Sequence, residues 1–354
     1  MTRDARPPVL GWDIGGVNTK AARLDRSSGP AGNGTPSVRS ASVPYEIQRD
    51  PGALPSVLRA IAAGLGRQDG WPHAVTMTAE LSQAFRTKRE GVACVLGALA
   101  TAFPNDPQLV YTVDGCFVTP AAAAADPLAV GASNWAATAA LVGRFVPDGI
   151  LVDIGTTSTD VIPLEGGRVA ARGRTDPARL LSGELIYTGA VRTPAEALVR
   201  EVPLGDARAA VSAEGFATAG DAHLWLGRLA PADYAAPTAD GRPATREFAG
   251  ERLARVVCGD REMLDDRAID AIARALAEAQ VALVADGIRR VRAGFPAATI
   301  AVVTGLGDFI AAEAAHLAGL EVVKLRDRLG DAARTAPAAA VAWLLADELA
   351  KARG

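Results

Sequence analysis

Acidic and small polar residues follow two short apolar segments that lie about 140 positions apart in the sequence. In each segment an aspartate is followed by glycine and by hydroxyl or amide side chains. The first set is Asp13, Gly15, Gly16, Asn18 and Lys20, and the second is Asp153, Gly155, Thr156, Thr157, Thr159 and Asp160. Glycine lets the backbone approach phosphate oxygens, and backbone N–H groups and hydroxyls then donate hydrogen bonds to them. The repetition predicts two loops, in two similar lobes, that bind one polyphosphate.

The aspartates in these loops need a different role, because a carboxylate repels phosphate. It can instead hold Mg²⁺ or orient a water molecule. We therefore predict a magnesium cofactor with Asp13, Asp153 and Asp160 as candidate ligands, and Lys20 as a cation beside the phosphates. Each pattern alone also fits an ordinary glycine turn, and only the pairing of the two favours a phosphate site.

Hydrophobic periodicity and turn residues predict the elements that must position these loops. Strands are predicted at 9–14, 19–24, 74–77 and 150–154, and helices at 54–65, 88–102 and 134–145. Hairpins are predicted around Asp114-Gly115 and around Glu165-Gly166-Gly167. The order of strand, Asp-Gly loop and hairpin strand occurs twice. This predicts an α/β protein with two duplicated lobes, at residues 1–147 and 148–354.

The second half of the chain contains another glycine-rich turn. A predicted strand at 300–303 leads to Gly305, Leu306 and Gly307, which are candidate ligand contacts before a helix at 309–318. The triplet alone fits a simple helix-entry turn equally well. Residues 194–292 are predicted to form a mainly helical region of the second lobe, and 337–350 a closing helix. Residues 27–36 are rich in Ser, Gly, Pro and Asn, which predicts a turn or flexible loop.

Composition excludes several classes of protein. The 354 residues are 49% hydrophobic, 22% charged and only 5% aromatic, with a formal net charge of −3. This balance gives no general attraction to nucleic acid or to anionic membranes, and few aromatic rings for stacking on bases. The three cysteines have no metal-ligand spacing, and residues 1–8 lack an apolar signal core. We expect a cytoplasmic protein with small-molecule substrates, and the sequence leaves a homodimer open.

Further polar residues are candidates at the edge of the same cleft. Glu80 directly follows the predicted strand 74–77, which favours a functional carboxylate. For Lys88 and Glu90 a solvated helix face is an equal alternative. For Asp176, Arg179, Glu184 and Tyr187 a salt-bridged loop is equally compatible. His73, His223 and His316 have no partners at metal-ligand spacing, so structural roles are favoured.

The order of two Asp loops and a late Thr-Gly-x-Gly turn resembles the fold shared by actin, sugar kinases and Hsp70. Two longer stretches narrow the resemblance. These are Val75-Thr76-Met77-Thr78-Ala79-Glu80-Leu81 with Lys88 and Glu90-Gly91-Val92, and Gly173-Arg174-Thr175-Asp176-Pro177 with Gly183-Glu184-Leu185-Ile186-Tyr187-Thr188-Gly189. Both are similar to the family described as hydantoinase-related or tetrahydromethanopterin-linked C1-transfer proteins.

This resemblance implies a transferase of methanofuran or methylofuran biosynthesis. Such an enzyme joins aminomethyl-furanmethanol diphosphate to the phenol oxygen of a glutamylated tyramine, or of a tyrosine-type acceptor, and releases pyrophosphate. For such a reaction we predict Glu80 as the base that takes the phenol proton, Lys20 and Asp153 as further catalytic residues, and the loops, Lys88, Asp176 and Glu184 as substrate-binding groups. The resemblance also implies that ATP is not required. Ala79 stands where the family pattern has glycine, which predicts local strain or a shifted turn.

Two other readings of the sequence remain. An ATP-dependent kinase or ATPase of the same fold would also carry two Asp loops. A non-enzymatic regulator of sugar-kinase type, or a filament-forming protein, would share the fold without the reaction.

Overall fold

The computed structural model describes residues 7–25 and 37–352. The turn predicted at 27–36 lies outside the described residues. The strands are β1 (Val9–Ile14), β2 (Asn18–Asp25), β3 (Ser37–Pro44), β4 (His73–Met77), β5 (Gln108–Tyr111), β6 (Phe117–Val118), β7 (Gly149–Ile154), β8 (Thr159–Glu165), β9 (Arg168–Val169), β10 (Leu185–Ile186), β11 (Glu201–Leu204), β12 (Ala207–Ala210), β13 (Ile300–Gly305) and β14 (Glu321–Lys324).

The α-helices connect these strands. They are α1 (Leu54–Gly64), α2 (Lys88–Ala102), α3 (Pro120–Ala125), α4 (Pro127–Val130), α5 (Asn134–Val142), α6 (Asp176–Ser182), α7 (Ala195–Leu198), α8 (Ala219–Trp225), α9 (Arg246–Arg255), α10 (Asp266–Arg292), α11 (Asp308–Leu317), α12 (Arg326–Leu329) and α13 (Ala336–Lys351). Among the described residues, no helix combines the length and apolar character needed to cross a membrane.

The first sheet has the strand order β3-β2-β1-β4-β5-β6. Strand β1 lies in its interior, antiparallel to β2 and parallel to β4. Every residue of β1 is buried, in keeping with its nearly continuous apolar sequence. Because parallel neighbours end at the same edge of a sheet, the residues that follow β1 and β4 lie beside each other.

The second sheet repeats this arrangement, with the order β10-β8-β7-β13-β14. The loops after β1 and β7 also contain equivalent backbone hydrogen bonds, one within each loop. Gly15 N donates to Asn18 O at 3.0 Å, and Gly155 N donates to Ser158 O at 2.9 Å. The predicted duplication of an α/β lobe is therefore confirmed in strand order and in the local turn.

The chain divides into two compact units that are not continuous in sequence. The first comprises residues Met1–Asp148, Leu164–Ala178 and Leu325–Gly354, and the second comprises Gly149–Pro163 and Arg179–Lys324. The sequence-based division at residue 148 differs, because α13 packs on β1, β2, β4 and α5. The helix comes so close to β1 that a Cβ atom on Gly11 would lie 1.9 Å from Ala338 O.

The helical region predicted at 194–292 lies in the second unit. It contains α7 to α10, and also the antiparallel hairpin of β11 and β12, which the sequence did not predict. Helix α10 is amphipathic, with apolar side chains buried at Ile269, Ile272, Leu276, Val284 and Ile288. This spacing of three and four residues packs one side of the helix into the unit.

Candidate functional site

The loop after β1 has a buried carboxylate and one cation. Asp13 lies directly opposite Lys20 in the β1–β2 ladder, and Lys20 Nζ lies 3.5 Å from Asp13 Oδ2. The residues Gly15, Gly16 and Asn18 form the turn between them. A Cβ atom on Gly15 would lie 2.6 Å from Asn18 O, so this tight turn requires glycine.

One carboxylate oxygen of Asp13 is buried and unpaired within the described part of the chain. Asp13 is 5% exposed, and its Oδ1 has no hydrogen-bond partner in the part of the chain that the structure describes. Burial raises the pKa of Asp13, and Lys20 opposes that rise. An orphaned, buried carboxylate oxygen beside a glycine turn fits a single ligand to Mg²⁺, which usually keeps several waters and binds few carboxylates. No cluster of three acidic, His or Cys residues suited to a metal occurs within 7–25 and 37–352.

Glu80 follows the strand next to β1. Thr78 N donates to Ile14 O at 2.9 Å, which ties the end of β4 to the first loop. A short 3-10 helix, Ala79–Leu81, then places Glu80 in the interior at 2% exposure. Ala79 is fully buried, and the non-glycine residues with positive φ in the described ranges are Ala132 and Cys258. The backbone of Ala79 is therefore outside the left-handed region that favours glycine, and a turn of this kind accommodates alanine.

Glu80 forms an ion pair with Lys88. Lys88 Nζ lies 3.3 Å from Glu80 Oε1 and 2.7 Å from Asp176 Oδ2, so the lysine bridges two carboxylates of the first unit. The other oxygen, Glu80 Oε2, is buried and has no hydrogen-bond partner among the described residues. Burial raises the pKa of Glu80 to about 7, against the opposing effect of Lys88. A carboxylate with this pKa can accept a proton near neutral pH.

Two glycines allow neighbouring segments to pack closely against Glu80. A Cβ atom on Gly91 would lie 2.5 Å from Glu80 Cα, so α2 packs against the backbone of Glu80. A Cβ atom on Gly131 would lie 3.3 Å from both Glu80 Cγ and Glu80 Oε1. Sequence reasoning assigned no role to either glycine. Gly91 lies in a stretch that carried the family resemblance, whereas nothing local marked Gly131.

Glu90 has a structural explanation. Its carboxylate accepts a hydrogen bond from Arg86 N at 2.8 Å, and the Thr87 hydroxyl accepts one from Glu90 N at 3.2 Å. These bonds satisfy backbone donors at the start of α2 and stabilise the helix end. Glu90 therefore serves as a natural control carboxylate for Glu80.

The second unit places the other loop and the late glycine turn together. Strands β7 and β13 are parallel, with Ile154 opposite Gly305. Gly305 has φ +91°, and a Cβ atom there would lie 2.4 Å from Asp153 Oδ1. Gly307 N donates to Ile154 O at 2.9 Å, and Gly307 immediately precedes α11. Leu306 is partly buried against the same core. The N-terminus of a ten-residue helix thus begins beside the Asp153 loop, an arrangement that favours anions.

Three other predicted residues of this unit, Asp160, Glu184 and Thr159, make hydrogen bonds within it. Arg179 is 1% exposed and donates to Asp160 Oδ1 at 2.5 Å and to Glu184 O at 3.1 Å. Asp160 therefore has an arginine partner, and its role as a metal ligand stays a prediction, as does substrate binding by Glu184. Thr159 donates its hydroxyl to Thr188 O at 2.6 Å.

The buried histidines have structural partners. Trp12 Nε1 lies 3.1 Å from His73 Nδ1, and His73 Nε2 lies 3.0 Å from Asp106 Oδ2. His223 Nε2 lies 2.8 Å from Gln280 Oε1. His316 is exposed.

Comparison with known proteins identifies a family model and two relatives that match this chain. The family model for hydantoinase/oxoprolinase matches residues 72–348. A protein of Methanocaldococcus jannaschii, named (4-{4-[2-(gamma-L-glutamylamino)ethyl]phenoxymethyl}furan-2-yl)methanamine synthase, is 32% identical over 345 residues, which cover 97% of this chain and 99% of the relative. The synthase of the same name from Methanococcus vannielii is 34% identical over 206 residues, 56% of this chain and 91% of the relative.

A solved structure supports the fold alone. The nucleotide-free structure of acetone carboxylase, an enzyme of ATP-dependent acetone carboxylation, is 12% identical to this chain. Its TM-score is 0.58, over 95% of this chain and 70% of that one. Together with the repeated strand order, it supports the predicted class, an α/β protein with the duplicated lobes of actin, sugar kinases and Hsp70.

Within this fold, the chain belongs to the hydantoinase/oxoprolinase family. The matched residues include Glu80, Lys88, Asp153, Asp176 and the turn at 305–307, while the loop at Asp13 precedes them. The M. jannaschii relative spans both regions.

Proposed function

We propose that this protein is the transferase that condenses a furfuryl diphosphate with the phenol oxygen of a glutamylated tyramine or tyrosine. The reaction belongs to methanofuran or methylofuran biosynthesis. The observation that carries the proposal is the 32% identity to the M. jannaschii synthase over nearly the full length of both chains. The relative's name describes a product in which a phenoxymethyl group joins a furan to a glutamylated aminoethyl chain.

The reaction forms one bond and breaks another. The phenol oxygen attacks the furfuryl carbon, the bond from that carbon to the diphosphate oxygen breaks, and pyrophosphate leaves with the electron pair. The phenol proton must go to a base, because the ordinary pKa of a phenol is about 10. Glu80 suits this role, since burial raises its pKa to about 7 and its Oε2, which has no hydrogen-bond partner among the described residues, can accept a proton.

The ion pairs of Lys88 support this role of Glu80. Lys88 contacts Glu80 Oε1 and also pairs with Asp176, so its positive charge is divided between two carboxylates. Because Lys88 therefore stabilises the ionised form of Glu80 only in part, Glu80 keeps its affinity for a proton. Burial excludes water from the carboxylate, which strengthens its interactions with a bound acceptor. Lys88 and Asp176 thus act as substrate-binding and positioning groups beside the base.

The first loop would stabilise the leaving group. Lys20 provides a positive charge beside the turn, and the glycines leave the backbone of this turn accessible to phosphate oxygens. Mg²⁺, when bound, would neutralise charge on the pyrophosphate, and Asp13 Oδ1 is the oxygen suited to hold it. Stabilisation of developing charge is commonly the largest contribution to catalysis. On the same grounds we propose that the second loop and the 305–307 turn also bind the diphosphate. The residues of the second loop in this role are Gly155, Thr156, Thr157 and Thr159, and Asp153 is the catalytic residue.

The proposed reaction does not require ATP, because the substrate itself supplies the diphosphate. We further propose that the enzyme acts in the cytoplasm on small molecules, as a possible homodimer, without nucleic acid or membrane.

The decisive test is a product assay. The protein is incubated with furfuryl diphosphate, a glutamylated tyramine or tyrosine, and Mg²⁺, and the aryl ether and pyrophosphate are measured by mass spectrometry. Both products should form without ATP, and the Glu80→Gln variant should form little of either. Glu90→Gln, a carboxylate change on the neighbouring helix end, is the matched control. Product that requires ATP and accompanies ADP would establish the kinase or ATPase alternative instead.

A further inference from the structure

A chain of buried polar side chains runs through the second unit. Gln280 lies in the middle of α10 and is fully buried, and so is His223 of α8. Gln280 Nε2 lies 2.8 Å from Thr188 Oγ1 and 2.8 Å from Gly189 O, while its Oε1 lies 2.8 Å from His223 Nε2. A buried amide with three partners on an otherwise apolar helix side demands a reason, because an apolar residue would pack there more simply.

The hydrogen-bonding partners determine the orientation of the Gln280 amide and the tautomer of His223. Gly189 O can only accept a hydrogen bond, so the nitrogen of the Gln280 amide must face it. The amide oxygen therefore faces His223, and the hydrogen must lie on His223 Nε2. His223 Nδ1 is then a lone pair, and it has no hydrogen-bond partner within the described ranges. The network fixes His223 as the neutral Nε2–H tautomer.

Gln280 thereby holds the segment 188–192 in place, and that segment supports the Asp153 loop. Ala190 N donates to Gly155 O at 2.9 Å, and Arg192 N donates to Thr156 O at 3.0 Å. A Cβ atom on Gly189 would lie 2.5 Å from Thr157 N. The peptides of the loop therefore rest on backbone atoms that the Gln280 amide holds together with the Thr193 hydroxyl, which accepts a hydrogen bond from Gly189 N at 2.9 Å.

We infer that Gln280, oriented by His223, is a positioning residue that preorganises residues 155–157 for binding the diphosphate. The inference rests on the proposed function, in which this loop binds pyrophosphate. Preorganisation matters because donors that are already in place bind an anion without the cost of ordering the loop. An apolar residue at 280 could keep the core packed, but it would remove the hydrogen bonds from the amide to Gly189 O and to the Thr188 hydroxyl, and would leave these groups to their contacts with the Thr193 hydroxyl.

The test compares Gln280→Met with Gln108→Met. Methionine keeps the length of the side chain and removes the amide. Gln108 is a matched control, because its Nε2 also donates to a backbone carbonyl, Phe103 O at 2.8 Å, but in the first unit. We expect Gln280→Met to weaken pyrophosphate binding roughly 5- to 20-fold, the range for one or two lost buried hydrogen bonds. The KM for furfuryl diphosphate should rise similarly, while the KM for the phenol and the properties of Gln108→Met stay unchanged.

Two further measurements do not depend on turnover. Hydrogen exchange at residues 155–157 and 188–192 should accelerate in Gln280→Met and not in Gln108→Met. In the wild-type protein, ¹⁵N NMR should show His223 as the Nε2–H tautomer. If Gln280→Met does not fold, Thr188→Val removes one of the same hydrogen bonds and should produce a smaller change in the same direction.

The outcomes separate this inference from the proposed function. If the wild-type protein makes the aryl ether, but pyrophosphate binding and loop exchange are unchanged in Gln280→Met, Gln280 is not a positioning residue. If no ether forms, but pyrophosphate binding and loop exchange change as expected, the positioning role stands and the proposed reaction fails. An Nδ1–H tautomer of His223 would overturn the assigned network.

Discussion

Replacing Glu80 by glutamine should make the protein more stable at alkaline pH and much less active. In the native protein burial raises the pKa of Glu80 from its ordinary 4.5 to about 7. Ionising Glu80 in its native environment is therefore unfavourable by roughly 3 kcal/mol, since one pKa unit corresponds to about 1.4 kcal/mol. Glutamine resembles the neutral acid in shape and hydrogen bonding but cannot ionise.

The sign of the pH dependence follows from linkage between protonation and folding. Between pH 4.5 and 7 the native state binds the Glu80 proton and the unfolded state releases it. The contribution of Glu80 to the free energy of unfolding is thus fully present below pH 4.5 and is lost as pH rises through 7. Urea unfolding at pH 5 and pH 8 should show wild type losing up to roughly 3 kcal/mol more than Glu80→Gln over this interval. Glu90→Gln should behave like wild type.

The activity of the same variant should change in the opposite direction. The kcat of the wild type should rise with pH through about 7, as Glu80 loses its proton. Glu80→Gln should lack this rise and have a kcat lower by roughly 10²- to 10⁴-fold, the usual contribution of a general base. The defect should shrink for acceptors with more acidic phenols, and the affinity for furfuryl diphosphate should hardly change.

Two results would refute this reasoning. If the pH dependence of stability is the same in Glu80→Gln and wild type, Glu80 does not ionise in its buried position. If the variant binds diphosphate or Mg²⁺ poorly and is equally impaired with every phenol, Glu80 belongs to the diphosphate site and is not the base.

Three further perturbations test other parts of the site. Gly91→Ala places a Cβ atom 2.5 Å from Glu80 Cα, so it should lower the free energy of unfolding by roughly 1–3 kcal/mol and abolish most of the activity. Gly97→Ala on the same helix has open space around the new Cβ atom and should be neutral or stabilising in thermal unfolding. Asp13→Ala or Asp153→Ala should lower turnover by orders of magnitude at saturating Mg²⁺ with the circular dichroism spectrum unchanged, and near-normal turnover would exclude that loop from the reaction. Added pyrophosphate should inhibit the ether-forming reaction and added ATP should not accelerate it, as measured by initial rates.

Prediction from sequence succeeded for elements whose pattern is local. Helix α2 begins and ends at the predicted residues 88 and 102, because its apolar spacing and the Thr87 cap are both local signals. Strand β3 was missed, since it is a largely exposed strand with a polar sequence that, among the strands described, pairs with β2 at the edge of the sheet. An edge strand derives its structure from its partner more than from its own residues.

The sequence by itself determined the duplicated lobes and the chemical character of the loops. An aspartate, a glycine and small polar residues after an apolar strand define a turn at a strand end, whatever surrounds it. Only the tertiary structure decided which distant residues meet. Lys88 reaches Asp176 across 88 positions, and Gln280 reaches Gly189 across 91. The pKa of Glu80 and the position of the Asp153 loop depend on such contacts, because burial and long-range packing are properties of the folded chain and not of any local pattern.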